Sequence, residues 1–383
     1  MDYKRGVDYE RSVDYERSVG CEKSADYKNP IPNSQKNPVA FLLIGLILVI
    51  TGCGGAETSG NGRLDAIKAR GSLTCGVDGK LPGFSYQDNA GKYAGIDVDI
   101  CRALAAALFN DPNKVEYREL TSSERFTALA SGEVDVLSRN TTRTLSRDAK
   151  GGNGLEFAPT IFFDGQGVMV PLASGITNLK DLAGKTICVE NGTTTELNLA
   201  DRFRELGVPY TPVKYQTGDQ TYGAYLQGRC AAVTSDRSQL AAKKTSFPDP
   251  AAHILLPDVL SKEPLGPVTV NNDSGLSDAL RWVIFATIQA EESGIDSNNL
   301  KQKLAFAKAN PNQADLRRFL GVEGDLGEQL GLNADFVPRV IASVGNYGEI
   351  YERNVGKASR LKLERGLNNS YKNGGLIYSP PFR

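Results

Sequence analysis

Short apolar runs of four or five residues alternate along most of the chain with longer stretches whose apolar residues recur every three or four positions. Residues 73–77 (Leu-Thr-Cys-Gly-Val) have the first pattern and predict a strand. Residues 96–109 have the second, with Ile96, Ile100, Ala103, Leu104, Ala107 and Leu108 on one helical face. A second helix is predicted over 125–131, stopped by Gly132, and a strand over 134–137. After the apolar run Gly167-Val-Met-Val-Pro171 the pattern restarts. It predicts a helix at 179–183, a strand at 186–189, a helix at 194–206, strands at 213–215 and 231–234, and helices at 222–227 and 237–244. A strand at 266–270 and a long helix at 276–291 follow.

This alternation predicts an α/β protein with mainly parallel sheets. It makes two similar passes, at about 70–170 and 171–264, and so predicts two lobes. A binding site then belongs at the carboxyl ends of strands and the amino ends of helices, in the crevice between the lobes. The 383 residues are enough for two cores. With 44 Lys and Arg against 45 Asp and Glu, the chain is near neutral, which argues against a nucleic-acid binder. A single histidine, His253, leaves no basis for a His-rich metal site, and we expect no metal or cofactor.

The amino-terminal 62 residues stand apart from this pattern. Residues 1–38 form a low-complexity leader whose first 30 read as five hexads, such as Val7-Asp-Tyr-Glu-Arg-Ser12. So few apolar residues cannot stack into a dry core. The leader is either a disordered segment, a tyrosine-rich binding tail, or upstream sequence that is not translated. Residues 39–53 carry twelve apolar residues followed by Thr51-Gly52-Cys53. That run is short for a membrane span but suits the core of a signal peptide. Ile50-Thr51-Gly52-Cys53 resembles a bacterial lipobox, which implies an acylated Cys53 after cleavage. Residues 54–62, rich in Gly, Ser and Thr, read as a flexible tether.

Export makes disulfides permissible, and Cys75, Cys101, Cys188 and Cys230 allow three pairings. Sequence distance favours Cys75–Cys101 and Cys188–Cys230, one bridge in each half, with buried free thiols as the alternative.

Three strand ends are chemically loaded. Ser138-Arg-Asn-Thr-Thr-Arg-Thr-Leu-Ser-Arg-Asp148 offers hydroxyls, an amide and guanidinium forks suited to a carboxylate. Glu190-Asn-Gly-Thr-Thr-Thr-Glu196 joins a strand to a helix and makes an anion cradle, although helix capping is the commoner role of such a run. Thr234-Ser-Asp236 supplies an anion for an ammonium. Together they predict a site for a zwitterion.

These segments carry a family resemblance. Gly95-Ile-Asp97-Val-Asp99-Ile100, residues 125–135 (Arg-Phe-Thr-Ala-Leu-Ala-Ser-Gly-Glu-Val-Asp) and Gly192-Thr-Thr-Thr-Glu196 resemble the polar-amino-acid family of bacterial solute-binding proteins. Residues 138–148, 163–167, 261–267, 344–350 and 374–383 resemble the general L-amino-acid binders of ABC transporters within it. The resemblance covers residues 63–383. It implies a two-lobed periplasmic-binding-protein fold (type II), with 63–170 plus 265–383 as lobe 1 and 171–264 as lobe 2. Hinges are expected near 168–171 and 262–266.

The resemblance also implies residue roles. Arg147 would hold the α-carboxylate of an L-amino acid, helped by Thr142 and Thr194, and Asp236 would take the α-ammonium, with Asn140 as a further partner. Thr195 joins from lobe 2 on closure. Ser122 and Arg125 match positions that reach ligand in acidic-amino-acid binders, and Asp78 matches a side-chain contact. Asp78 would favour basic or amide side chains, whereas Arg125 and Arg143 would favour acidic ones, unless these opposed charges form an internal pair. The implied protein is a monomeric, lipid-anchored periplasmic receptor, not an enzyme, that delivers ligand to a membrane permease. The alternative is an enzyme on the same fold, such as a dehydratase of cyclic carboxylic acids with Glu190 as its acid or base.

Overall fold

The computed structural model describes residues 62–383. The leader, the apolar segment with Cys53 and all but the last residue of the tether lie outside the described residues. From Leu73 the chain forms β1 (Leu73–Val77), α1 (Ile96–Phe109), β2 (Val115–Glu119), α2 (Arg125–Ser131), β3 (Val136–Leu137) and β4 (Leu155–Phe157). It continues through β5 (Phe162–Asp164), β6 (Gln166–Pro171), β7 (Thr186–Glu190), α3 (Thr194–Leu206), β8 (Thr211–Tyr215), α4 (Gly218–Leu226), β9 (Ala232–Asp236), α5 (Arg237–Lys244) and β10 (His253–Leu255). It then returns through β11 (Glu263–Leu265), β12 (Val268–Val270) and α6 (Ser274–Glu292) to a helical carboxyl-terminal region that includes α7 (Phe336–Val344) and α8 (Tyr347–Asn354).

Two five-stranded sheets result, ordered β2-β1-β3-β12-β4 and β8-β7-β9-β6-β10. In each, three parallel strands have the earliest in the middle: β1 between β2 and β3, β7 between β8 and β9. The strands are less uniformly parallel than expected, because β12 runs antiparallel to β3 and β4, and β6 antiparallel to β9 and β10. Both of these strands enter their sheet from the β5–β11 ribbon with no crossover helix, and a parallel pairing needs such a crossover.

The residues at the expected division at 170 and hinge at 168–171 lie within a strand of the second sheet. β6 spans those residues inside the second sheet, paired on both edges, with Val168, Met169 and Val170 fully buried. The passages between sheets lie instead at β5 and β11, which pair with each other as Asp164 with Glu263 and Phe162 with Leu265.

Packing then fixes the strand ends. α1 buries Ile96, Ile100, Ala103, Leu104 and Ala107 against Val283 and Ile284 of α6 and Val340 and Ile341 of α7. Each such Ile or Leu contributes roughly 1.5–3 kcal/mol by burial. α8 is tied to α1 by Arg353, whose guanidinium meets Asp99 at 2.8 Å, and Tyr347 donates to the Ile161 carbonyl at 2.9 Å. Both favoured disulfides are present: Cys75–Cys101 staples β1 to α1, and Cys188–Cys230 staples β7 to the approach to β9. Among the described residues no helix is long and apolar enough to cross a membrane.

Candidate functional site

The carboxyl ends of β1, β2 and β3 face those of β7 and β9, so the loaded segments meet. After β3 the chain turns sharply at Asn140, which takes the left-handed φ of 33° and is held by its N–H donating to Asp97 at 3.1 Å. Asp97, in the first turn of α1, also accepts from Ser138 at 3.1 Å. Burial pushes its pKa up to about 6, against the lowering effect of those two bonds. Arg139 is 4% exposed and donates to the Leu120 carbonyl at 2.7 Å and to Asp78 at 2.8 Å. Arg147 is buried and donates to the Thr142 carbonyl at 2.8 Å. Arg143 turns outward, half-exposed, and pairs with Asp148 at 3.0 Å.

At the start of α2, Arg125 is 3% exposed and its Nε has no hydrogen-bond acceptor among the described residues. Its guanidinium lies over the Phe126 ring at 4.7 Å, and that of Arg147 lies over the same ring at 5.2 Å. Burial, then repulsion from Arg139 and Arg147, pushes the Arg125 pKa well down; burial brings that of Arg147 to about 10. Guanidiniums stay charged in proteins, so both shifts express the cost of burying that charge.

From the second sheet, β7 ends on Glu190 and α3 begins at Thr194. Thr193 caps α3 by accepting from the Glu196 N–H at 3.2 Å. Thr195 is buried, its Oγ1 2.8 Å from that of Thr193. β9 ends on Asp236, whose pKa is pushed well above the ordinary carboxylate range by burial and by the nearby Asp164 and Glu263. Arg147 and Arg125 oppose that shift.

Ser122, Arg125, Asn140, Thr142, Thr194, Thr195 and Asp236 thus line one narrow cavity of about 20 Å³, room for about one water. Arg147 is not among the lining residues; it reaches the site through its bond to the Thr142 carbonyl. Asp78 is not in this lining; its carboxylate is committed to Arg139, and it borders an adjoining cavity of about 240 Å³. Arg143 borders neither. The opposed charges expected around the side-chain pocket therefore do pair internally, but through Arg139, not Arg143.

Three contributors were missed or misread. Arg139 and Glu190 line both cavities, and Arg139 Nη2 lies 3.8 Å from Glu190 across the crevice. Glu263, in β11, is 1% exposed and accepts from Thr142 at 2.6 Å, Thr194 at 2.9 Å and Asn198 at 2.7 Å. Among the described residues no cluster of His, Cys, Asp and Glu could hold a metal ion. The lining sets the guanidiniums of Arg125 and Arg139 from the first sheet's side opposite the carboxylates of Glu190 and Asp236 from the second.

Residues 73–320 match the family described as bacterial extracellular solute-binding proteins, family 3. The chain is 44% identical over 351 residues to the general L-amino acid-binding periplasmic protein AapJ of Rhizobium johnstonii, covering 91% of this chain and 100% of that one. It is 44% identical over 349 residues to the glutamate/glutamine/aspartate/asparagine-binding protein BztA of Rhodobacter capsulatus, again covering 91% and 100%. A solved periplasmic binding protein of an ABC transporter from Brucella ovis, with glutathione bound, superposes with a TM-score of 0.80 at 45% identity, covering 84% of this chain and 99% of that one.

Proposed function

Since the chain belongs to family 3 of the bacterial extracellular solute-binding proteins, we propose that it captures L-amino acids outside the cytoplasm and presents them to the membrane permease of an ABC transporter. It is a receptor and not an enzyme, as its family is. One observation carries the choice of ligand: the buried guanidiniums of Arg125 and Arg139, which follow β2 and β3, line one narrow cavity together with the buried carboxylate of Asp236 at the end of β9. That is the charge pattern of an α-amino acid, carboxylate to one lobe and ammonium to the other.

In this reading Arg147 and the N–H groups at Thr142 and Thr194 hold the carboxylate. Asp236 holds the ammonium, with Asn140 beside it. Arg125 and Ser122 face the side chain. The first lobe is built on the β1 sheet with the carboxyl-terminal helices, the second on the β7 sheet, and β5 with β11 forms the hinge. A cavity of about 20 Å³ admits an amino acid only after the lobes part, and the permease selects the closed form.

Broad specificity follows from the adjoining 240 Å³ cavity, which shares Arg139, Glu190 and Gln239 with the narrow one and gives long side chains somewhere to go. The relatives named for general L-amino acids and for glutamate, glutamine, aspartate and asparagine support this range, and the glutathione-bound neighbour supports ligands extended at the side chain. Anchoring through an acylated Cys53 and a monomeric working state belong to the same proposal; the apolar run before Cys53 supports the anchor.

A thermal-shift screen of ligand-stripped protein against the common L-amino acids, glutathione and cyclic carboxylic acids tests it. Stabilisation by several amino acids is expected, and stabilisation by cyclic acids alone would overturn it. For the anchor, Cys53→Ala should release the protein from membranes; unchanged membrane retention would contradict acylation.

A further inference from the structure

Among the described residues, three buried polar atoms of the residues lining the narrow cavity have no hydrogen-bond partner, Glu190 Oε1, Arg125 Nε and Asn140 Oδ1, and the first two are complementary. Glu190 is 9% exposed, yet its Oε1 accepts no hydrogen bond among the described residues. Its nearest cation is Arg139 Nη2 at 3.8 Å, and that nitrogen already donates to Asp78 at 2.8 Å. The second oxygen, Oε2, faces the backbone at Gly218, where an added Cβ would lie 3.4 Å away. Opposite stands Arg125, 3% exposed, with its Nε unpaired. Glu190 and Arg125 line the same cavity and feel each other's charge, but no nitrogen–oxygen approach within 4.0 Å joins them. A buried acceptor and a buried donor left unmet are costly, and natural proteins leave few of them without a purpose.

We propose that Arg125 and Glu190 form a divided reader of ligand side-chain carboxamides, with Arg125 donating to the amide oxygen and Glu190 accepting from the amide NH₂. This rests on the amino-acid-receptor reading and narrows it: among polar ligands, L-glutamine and L-asparagine are preferred to their acids. A side-chain carboxylate satisfies Arg125 but sets a second anion against Glu190. A side-chain ammonium satisfies Glu190 but sets a cation against Arg125. Only a group with an acceptor on one branch and a donor on the other meets both. Arg125 follows β2 in the first sheet and Glu190 ends β7 in the second, so the amide spans the crevice and completes its second bond only on closure. Selectivity is thereby coupled to the conformation that the permease recognises.

The test is calorimetric titration of wild type and Glu190→Gln with L-glutamine and L-glutamate. Wild type should prefer glutamine about 10- to 100-fold, the value of one hydrogen bond to a charged group. In Glu190→Gln the side-chain amide can donate to a carboxylate, and the glutamine-to-glutamate ratio should fall at least about tenfold. An unchanged ratio overturns the inference. Wild type that binds amino acids but favours glutamate also overturns it, whereas wild type that binds no amino acid defeats the receptor reading itself. Should Glu190→Gln not fold, glutamine labelled with ¹⁵N at its side chain decides the matter on wild type. Bound amide protons shifted and protected from exchange support the reader; amide protons resembling those of free glutamine overturn it.

Discussion

Thr142 and Thr194 stand 3.4 Å apart, oxygen to oxygen, although one follows a strand of the first sheet and the other opens a helix behind the second. Both hydroxyls donate to one oxygen of Glu263, at 2.6 and 2.9 Å, while the other oxygen accepts from Asn198 at 2.7 Å. Glu263 sits on the return passage between the sheets. A single buried carboxylate therefore ties the two sides of the crevice to the strand that joins them.

Replacing Glu263 should loosen the closed arrangement. Glu263→Ala leaves several buried donors unmet and should cost about 2–4 kcal/mol in ligand affinity, mostly as faster dissociation. Glu263→Gln keeps the shape and should lose less. Stopped-flow dissociation rates check this, and rates equal to wild type in both variants would remove Glu263 from the closure.

Gly192 comes close to the opposite wall. It has a φ of +73°, and a Cβ there would meet the Ser123 hydroxyl at 3.1 Å. Gly192→Ala should cost about 1 kcal/mol of stability for the left-handed backbone. It should cost more in affinity, because the clash exists only when the crevice is shut. A variant with lowered thermal stability but unchanged affinity would show that this contact plays no part in closing.

The acid behaviour follows from buried carboxylates whose pKa values are raised. Asp97 and Asp164 are pushed up to about 6 by burial, from an unfolded value of 3.8. A raised folded pKa contributes stability below the unfolded value that is lost as pH climbs through the folded one. These two groups should therefore make the ligand-free protein lose stability between about pH 4 and pH 6, and the Asp164→Asn variant should flatten that slope. Asp236 acts oppositely on binding: its pKa is raised by burial and a ligand ammonium needs its ionised form, so binding should release protons and weaken on acidification. Calorimetry in buffers of different ionisation enthalpy reads the proton release; a buffer-independent heat would contradict the role of Asp236.

Each disulfide closes a loop within one sheet's half, of 26 and 42 residues in sequence separation. Removing either with paired Cys→Ser changes should cost about 2–4 kcal/mol of stability. Since neither bridge touches the cavity, affinity should survive at temperatures where the variants stay folded. A variant of undiminished melting temperature would show that its bridge does not form.

Much of the fold was legible because its punctuation is local. α1, α2, α3 and α5 fall where apolar spacing, Gly132 and the Thr193 cap put them. The sheet to which β6 belongs was not legible, since Val168-Met-Val170 reads equally as a buried strand of either lobe. In the site, three arginines share one loop, and their spacing does not tell that Arg139 turns inward to Asp78 while Arg143 turns outward to Asp148. Glu263 carried no signal of its own: a lone carboxylate beside Pro264 looks like any surface turn until the β5–β11 pairing buries it.

The most direct measurement of the receptor reading is calorimetric titration of protein unfolded and refolded to strip bound ligand, against all common L-amino acids, for wild type and Arg147→Ala. The expected result is one-to-one binding of several amino acids by wild type, with about 2–5 kcal/mol of affinity lost across all of them in Arg147→Ala, because each ligand's carboxylate loses its buried partner. No heat from any amino acid with wild type, or undiminished binding by Arg147→Ala, would contradict it.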